Sequence, residues 1–285
     1  MDHQKSLVVG IGDFACQSTE TILDIETPDT DVLVCHYKSQ TLENTGVSRK
    51  IKLDENLVNF TDNSINSQKT LKDLFPHKPG IVFLITDLKD EWSRKATALL
   101  GQLAKGRDQI TIAIIPQSQE TDEYYTRWEI DPGKFIDAVF PFERKYLGLN
   151  NKDESSDKNQ FVSFARNIIK TFTNLTNQSG TFAIDPGDLG TIFQGSSQVL
   201  MGKASADGEN RALDAIRKAF KNKMDACYKA LLFLETKNKE VIMDEVGEIT
   251  DYLQSRIAES VSIIWGSGVD QHLENKIRVT IITGK

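Results

Sequence analysis

The sequence has no run approaching the roughly 18 consecutive apolar residues that a membrane-crossing helix needs, so no direct membrane insertion is expected. The opening, MDHQKSLVVGIGDFACQ, carries charge and then one apolar run too short for a signal peptide, which points to the cytoplasm. Cysteine is scarce. Cys16, Cys35 and Cys227 lie far apart without CxxC spacing, which argues against a zinc site or a disulfide framework and fits a reducing compartment. His3, His36, His77 and His272 show no metal-ligand spacing. There is no GxSxG context and no identifiable histidine partner for Cys16, so nucleophilic catalysis has no support. Positive charge is in deficit, with 34 Lys and Arg against 41 Asp and Glu and a net charge of -7. That balance disfavours nucleic acid or an anionic membrane surface as the main partner.

What is present is the composition of a globular protein: 39% hydrophobic and 26% charged over 285 residues, enough for two compact units or one large one. Apolar runs at Ser6 to Gly10 (SLVVG), Asp31 to His36 (DVLVCH), Gly80 to Thr86 (GIVFLIT) and Gln109 to Pro116 (QITIAIIP) read as strands buried on both faces of a parallel sheet. Val47 to Leu53 adds a candidate strand. Between them lie helical patterns, from Gly12 to Asp24 and from Glu91 to Lys105, the latter with Trp92, Ala96, Leu99, Leu100 and Leu103 on one face. Strands alternating with helices predict an α/β doubly wound sheet.

The polar stretch Asn150 to Gln160 (NNKDESSDKNQ) is expected to be a surface loop. A helix follows over Phe161 to Asn174, its buried stripe formed by Phe161, Phe164, Ala165, Ile168, Ile169 and Phe172. After Gly180 the pattern changes. Helices are expected at Asp188 to Leu200, Asn210 to Lys221 and Asp244 to Glu259, and strands at Tyr228 to Glu235, Ser260 to Ser267 and Lys276 to Thr283. Tyr124, Tyr125 and Trp128 form an aromatic cluster that fits core packing or a partner-binding patch.

Two long motifs then stand out. MGKASADGENRALDAIRKAF (Met201 to Phe220) resembles the FtsZ segment Met-Gly-x-(Gly/Ala)-x-Ala-x-Gly-(Glu/Asp)-x-Arg-Ala. The stretch Ser260 to Lys285 resembles the end of the FtsZ second domain, with Ile264, Gly266, Asp270, Arg278, Val279, Thr280 and Gly284 at matching places. The chain is thereby similar to the FtsZ/tubulin superfamily over nearly its full length. The resemblance implies an N-terminal GTPase-like sheet over residues 1–160, a central helix and connection over 161–180, and a C-terminal α+β domain over 181–285.

In that family two acids of one subunit reach the nucleotide of the next, where they orient the attacking water. The corresponding segment here, AIDPGD (Ala183 to Asp188), retains Asp185 and Asp188, which the resemblance makes catalytic toward a neighbouring subunit. The local reading makes Asp188 a helix N-cap and Asp185 a turn residue beside Pro186. Both stay open.

Elsewhere the sequence departs from the family. Its first phosphate turn is a run of glycines, where backbone N–H groups approach the phosphates closely. Here the turn keeps Gly10 and Gly12 but continues with Asp13 and Phe14, leaving Gly10, Gly12 and Gln17 as what remains of a nucleotide site. The family's GGGTGTG-type loop is replaced by DLKDEWSRKA (Asp87 to Ala96), which has no glycine and three acids, with Lys89, Arg94 and Lys95 as potential offsets. Pro141-Phe142-Glu143-Arg144 stands for the family's Pro-Asn-Asp-Arg. An ungapped count places Lys158 and Val162 where an aromatic and an Asp meet guanine. No cofactor is therefore required, and GTP is expected to bind weakly or not at all. The expected role is a cytoskeletal subunit assembling with itself or with an FtsZ homologue in division or membrane constriction. An active GTPase with rebuilt phosphate loops, and a plain α/β nucleotide- or anion-binding module, are the alternatives.

Overall fold

A computed structural model describes residues 5–23, 29–55, 80–105, 109–116, 135–142, 154–177, 182–193, 199–220, 229–238, 240–257 and 261–284. The chain forms two compact units, Met1–Thr173 and Asn174–Lys285.

The first unit is built on six parallel strands: β1 (Ser6–Ile11), β2 (Thr30–His36), β3 (Lys50–Lys52), β4 (Ile81–Ile85), β5 (Ile110–Pro116) and β6 (Ala138–Phe142), in the order β3-β2-β1-β4-β5-β6. Val9 pairs with Leu33 on one side and Leu84 on the other. The strands β1 and β4 are buried at every position, because helices cover both faces of the sheet. Helices α1 (Gly12–Leu23), α2 (Ser39–Glu43) and α3 (Glu91–Lys105) follow β1, β2 and β4. Trp92, Ala96, Leu100 and Ala104, one helical turn apart along α3, share a core with Val9, Leu33, Leu84 and Ala113 of the sheet.

Helix α4 (Glu154–Asn177) serves another part of the core. Its Phe172 packs edge-on to Phe83 and Phe140, and Thr173 shares a hydrogen bond with Ser6 at 3.2 Å. This helix starts earlier than expected, within the polar stretch expected as a loop. The polar composition of that stretch, which suggested a loop, gives no apolar stripe to mark the helix start. Strand β6 was not anticipated. It carries Pro141, tolerated because among the described residues β6 stands at the edge of the sheet.

The second unit contains α5 (Pro186–Phe193), β7 (Val199–Ala206), α6 (Arg211–Ala219), β8 (Lys229–Thr236), α7 (Met243–Arg256), β9 (Ser262–Val269) and β10 (Ile277–Gly284). The sheet order is β7-β10-β8-β9, with β10 antiparallel to β7 and β8, and β8 parallel to β9. The helix expected over Asp188 to Leu200 stops at Phe193, and Val199–Ala206 is a strand instead. Pairing along the whole of β10 overrides a segment that has no clean strand alternation. Gly202, within the first family-like motif, lies under α6: a Cβ there would fall 2.0 Å from the carbonyl oxygen of Ala219. Ala212, Ala215, Ile216 and Phe220 close the core over Leu232, Leu234, Val279 and Ile281. In the second motif, Arg278 pairs with Asp270 and approaches Glu235 at 3.7 Å, tying β10 to the turn that precedes it.

Candidate functional site

In an open parallel sheet, ligands bind beyond the carboxyl ends of the strands where the strand order reverses. Here the reversal lies between β1 and β4. The site is therefore framed by the β1–α1 turn and the β4–α3 loop.

At the first turn, Gly12 opens α1 with φ of 87°, a left-handed value that disfavours any side chain. A Cβ on it would sit 2.6 Å from Oγ of Ser93, so the two loops approach each other directly. Gly10 serves packing within the domain: a Cβ there would fall 2.3 Å from Oγ1 of Thr19, one face of α1 lying on β1. Gln17 is exposed on α1. The structure thus brings Gly10 and Gly12 into one turn and leaves Gln17 on the helix surface beyond it.

Asp13 is 61% exposed in side chain and accepts a hydrogen bond from the Thr41 hydroxyl at 2.8 Å. Its Oδ1 also lies 3.5 Å from Nε2 of buried His36. Because Nδ1 of His36 accepts the Lys38 backbone N–H at 2.9 Å, the neutral ring carries its proton on Nε2, facing Asp13. Tyr37 stacks on this imidazole at 4.6 Å and Trp92 lies 5.2 Å away. Burial lowers the His36 pKa, with Asp13 pulling in the opposite direction. Nearby, Cys16 is pushed up to about 12 by burial and then by the charge of Asp13, which leaves its thiol protonated and unreactive.

At the second loop, Asp90 caps α3: its Oδ1 accepts the Ser93 N–H at 2.7 Å and its Oδ2 accepts the Ser93 hydroxyl at 2.8 Å. Burial raises the Asp87 pKa against the opposing hydrogen bond from the Lys89 N–H. Leu88 takes a φ of 55°, and Arg94 holds that turn by donating to the carbonyls of Leu88 at 2.9 Å and Lys89 at 3.2 Å. Lys95 pairs with Glu91. Of the three basic residues expected to offset the acids, Arg94 and Lys95 are thus engaged within their own loop and helix.

A contact that the sequence reading missed involves Phe14. Its ring meets Phe161 of α4 edge-on at 5.2 Å, Phe161 meets Phe142 at 5.7 Å, and Phe142 meets Phe164 at 5.3 Å. The ungapped count put Lys158 and Val162 toward the ligand. Val162 is buried, Lys158 half-buried, and the α4 aromatic that reaches the β1–α1 turn is Phe161. The aromatic spacing Phe161 to Phe164 was the available signal. Pro141 and Phe142 lie in β6, while Glu143 and Arg144, like Tyr124, Tyr125, Trp128, His3, His77 and Cys227, lie outside the described residues. Among the described residues no His, Cys, Asp and Glu group is placed to hold a metal ion, and no helix is long and apolar enough to cross a membrane.

In the second unit, Asp185 and Asp188 cap each other. The Asp188 N–H donates to Oδ1 of Asp185, and the Asp185 N–H donates to Oδ2 of Asp188, each at 3.0 Å. This is a reciprocal capping box with Pro186 at the first helical position of α5. The N-cap is Asp185, and Asp188 is its partner three residues on. Asp185 is exposed and Asp188 half-buried, so one oxygen of each carboxylate lies outside this exchange.

Comparison with known proteins follows the two-unit division. The model of the FtsZ family C-terminal domain matches residues 195–285. Mitochondrial division protein fszA of Dictyostelium discoideum is 21% identical over 296 residues, covering 96% of this chain and 57% of that protein. The chain is thus similar to FtsZ proteins, by family model over residues 195–285 and by alignment over nearly its full length. Cell division protein FtsZ 1 of Archaeoglobus fulgidus is 27% identical over 118 residues, 40% of this chain and 32% of that protein. The alignments thus span between about a third and just over half of these two FtsZ relatives. Among solved structures, a GTPγS-bound protofilament of CetZ2 from Haloferax volcanii superposes with a TM-score of 0.74 at 12% identity, covering 98% of this chain and 92% of that one. The FtsZ/tubulin fold, a parallel six-stranded sheet followed by a smaller sheet domain, is the fold of this chain.

Proposed function

We propose that this protein is an FtsZ-like cytoskeletal subunit of a division or membrane-constricting assembly, one that holds GTP weakly or not at all. It assembles with itself or with an FtsZ homologue that carries nucleotide. The observation that supports this reading most is the asymmetry between its two candidate surfaces. At the switch point, Asp90 already takes the α3 N-terminal N–H of Ser93, and Asp13 and Asp87 add carboxylates where a phosphate would need donors. Repulsion between such a carboxylate and a phosphate at a few ångströms is on the order of kcal/mol per pair. The Asp185 and Asp188 surface, by contrast, keeps both acids. A carboxylate pair facing a neighbour's γ-phosphate orients and polarises an attacking water, so these residues act in trans.

Titration calorimetry with GTP and Mg²⁺ tests the first half, and a dissociation constant at or below the micromolar range overturns it in favour of an active GTPase with rebuilt loops. For the second half, substoichiometric addition to a GTP-hydrolysing FtsZ is expected to change turnover or filament length. An Asp185→Ala, Asp188→Ala double variant that alters turnover as the parent does would return both acids to capping alone.

A further inference from the structure

Phe14 immediately follows the turn at the strand-order reversal, and Phe142 is the last residue of β6, three strands away across the sheet. Adjacent strands lie about 4.8 Å apart, so the carboxyl ends of β1 and β6 are separated by roughly 14 Å. The rings bridge that gap in edge-to-face steps, Phe14 to Phe161 at 5.2 Å and Phe161 to Phe142 at 5.7 Å, with Phe164 against Phe142 at 5.3 Å. Phe161 and Phe142 are almost fully buried, whereas Phe14 is half-buried at the outer end of the row. A row of rings therefore runs from the β1–α1 turn, at the strand-order reversal where a doubly wound sheet holds its ligand in a crevice, to the end of β6.

We propose that the Phe14 side chain is a built-in occupant of this crevice. It supplies the ring packing that a bound planar heteroaromatic would supply, so the first unit holds its core together with no ligand present. Two consequences follow. Removing the ring uncovers the edge of Phe161, against which a neutral planar heteroaromatic such as a purine nucleoside is expected to pack. Asp13, the residue preceding Phe14, places a carboxylate on the same turn, held toward His36 and Thr41, so added phosphates are expected to bring no gain. The inference rests on the reading that phosphate is not held here.

The experiment compares the parent with Phe14→Ala, using guanosine and GTP as probes in separate thermal-unfolding and calorimetric titrations. Phe14→Ala is expected to lower Tm by about 5 °C. Millimolar guanosine should raise it again by about 2 °C while leaving the parent unmoved. The variant should bind guanosine at least about tenfold more tightly than the parent, and GTP no more tightly than guanosine. An unchanged Tm with no guanosine uptake overturns the proposal, as does a parent that binds guanosine as well as the variant. If Phe14→Ala does not fold, Phe14→Leu carries the test: a smaller drop in Tm with partial rescue by guanosine supports it, and no drop with no rescue overturns it. A parent that binds GTP tightly is a different result, one that ends the weak-GTP reading on which the proposal rests.

Discussion

Nε of Arg211 donates to Oε1 of Glu245 at 2.6 Å, and its Nη2 donates to Oε2 of the same carboxylate at 3.1 Å, with both side chains buried. The guanidinium also reaches the carbonyls of Glu240 at 2.9 Å and Asn275 at 3.3 Å, and Glu245 accepts the N-cap N–H of Ile242 at 3.2 Å. One ion pair thus joins α6, the start of α7 and the turn before β10. Arg211→Ala strands a buried carboxylate and is expected to cost about 3–5 kcal/mol. Arg211→Lys should recover only part, since an ammonium lacks the planar fork. Urea unfolding of the full chain measures both, and a cost below about 1 kcal/mol for the alanine variant would contradict this account.

Gly12 joins a left-handed backbone to a close approach by Ser93, so Gly12→Ala meets two penalties. The backbone term alone is expected to cost about 1–3 kcal/mol. Adding Ser93→Ala removes the Oγ that the new methyl would strike, leaving the nearest side-chain atom, Cβ, at 3.7 Å. The double variant should therefore regain the steric part of the loss in urea unfolding and keep the backbone part.

These contacts mark what the sequence could and could not disclose. The buried runs of β1, β4 and β5 are legible because strands covered on both faces need apolar residues at consecutive positions. Strands β6 and β7 are not, since one carries Pro141 at a sheet edge and the other carries Gly202, Lys203 and Ser205 on a half-exposed edge. The opening of α4 hid because its polar sequence shows no apolar stripe. At the site, Asp13 and Phe14 are legible as bulky side chains directly after a glycine turn. Their partners His36 and Phe161 come from β2 and α4, and no local spacing encodes such a meeting.

The mutual capping of Asp185 and Asp188 separates their structural role from any role toward a neighbour. Asp185→Asn keeps an N-cap acceptor and should change stability by less than about 0.5 kcal/mol, whereas Asp185→Ala should cost about 1 kcal/mol. Both remove the charge. If the carboxylate acts in trans, both variants lose the effect on a partner's GTP turnover equally, whereas a turnover effect that tracks stability would assign Asp185 to the helix alone.

Acid should weaken the first unit through His36. Its folded pKa lies below its ordinary 6.5 because of burial, so below pH 6.5 the unfolded chain binds more protons than the folded one. Stability is fully present above that value and declines as pH falls toward and through the folded pKa. Protonation also turns Nδ1 from acceptor into donor, in conflict with the Lys38 N–H. Unfolding free energies measured across this range should fall in the parent and fall less steeply in His36→Gln, with Trp92 fluorescence reporting the local change. Equal slopes in the two proteins would remove His36 from the explanation.

The position of β10 between β7 and β8 sets an order of events during synthesis. Strands β7, β8 and β9 all leave the ribosome before Ile277–Gly284, and β7 and β8 have no common edge until that segment is inserted between them. A nascent chain paused short of residue 277 exposes the flanks of an unfinished sheet, the state in which strand edges recruit foreign chains. Closure of this four-stranded sheet therefore waits on the synthesis of β10.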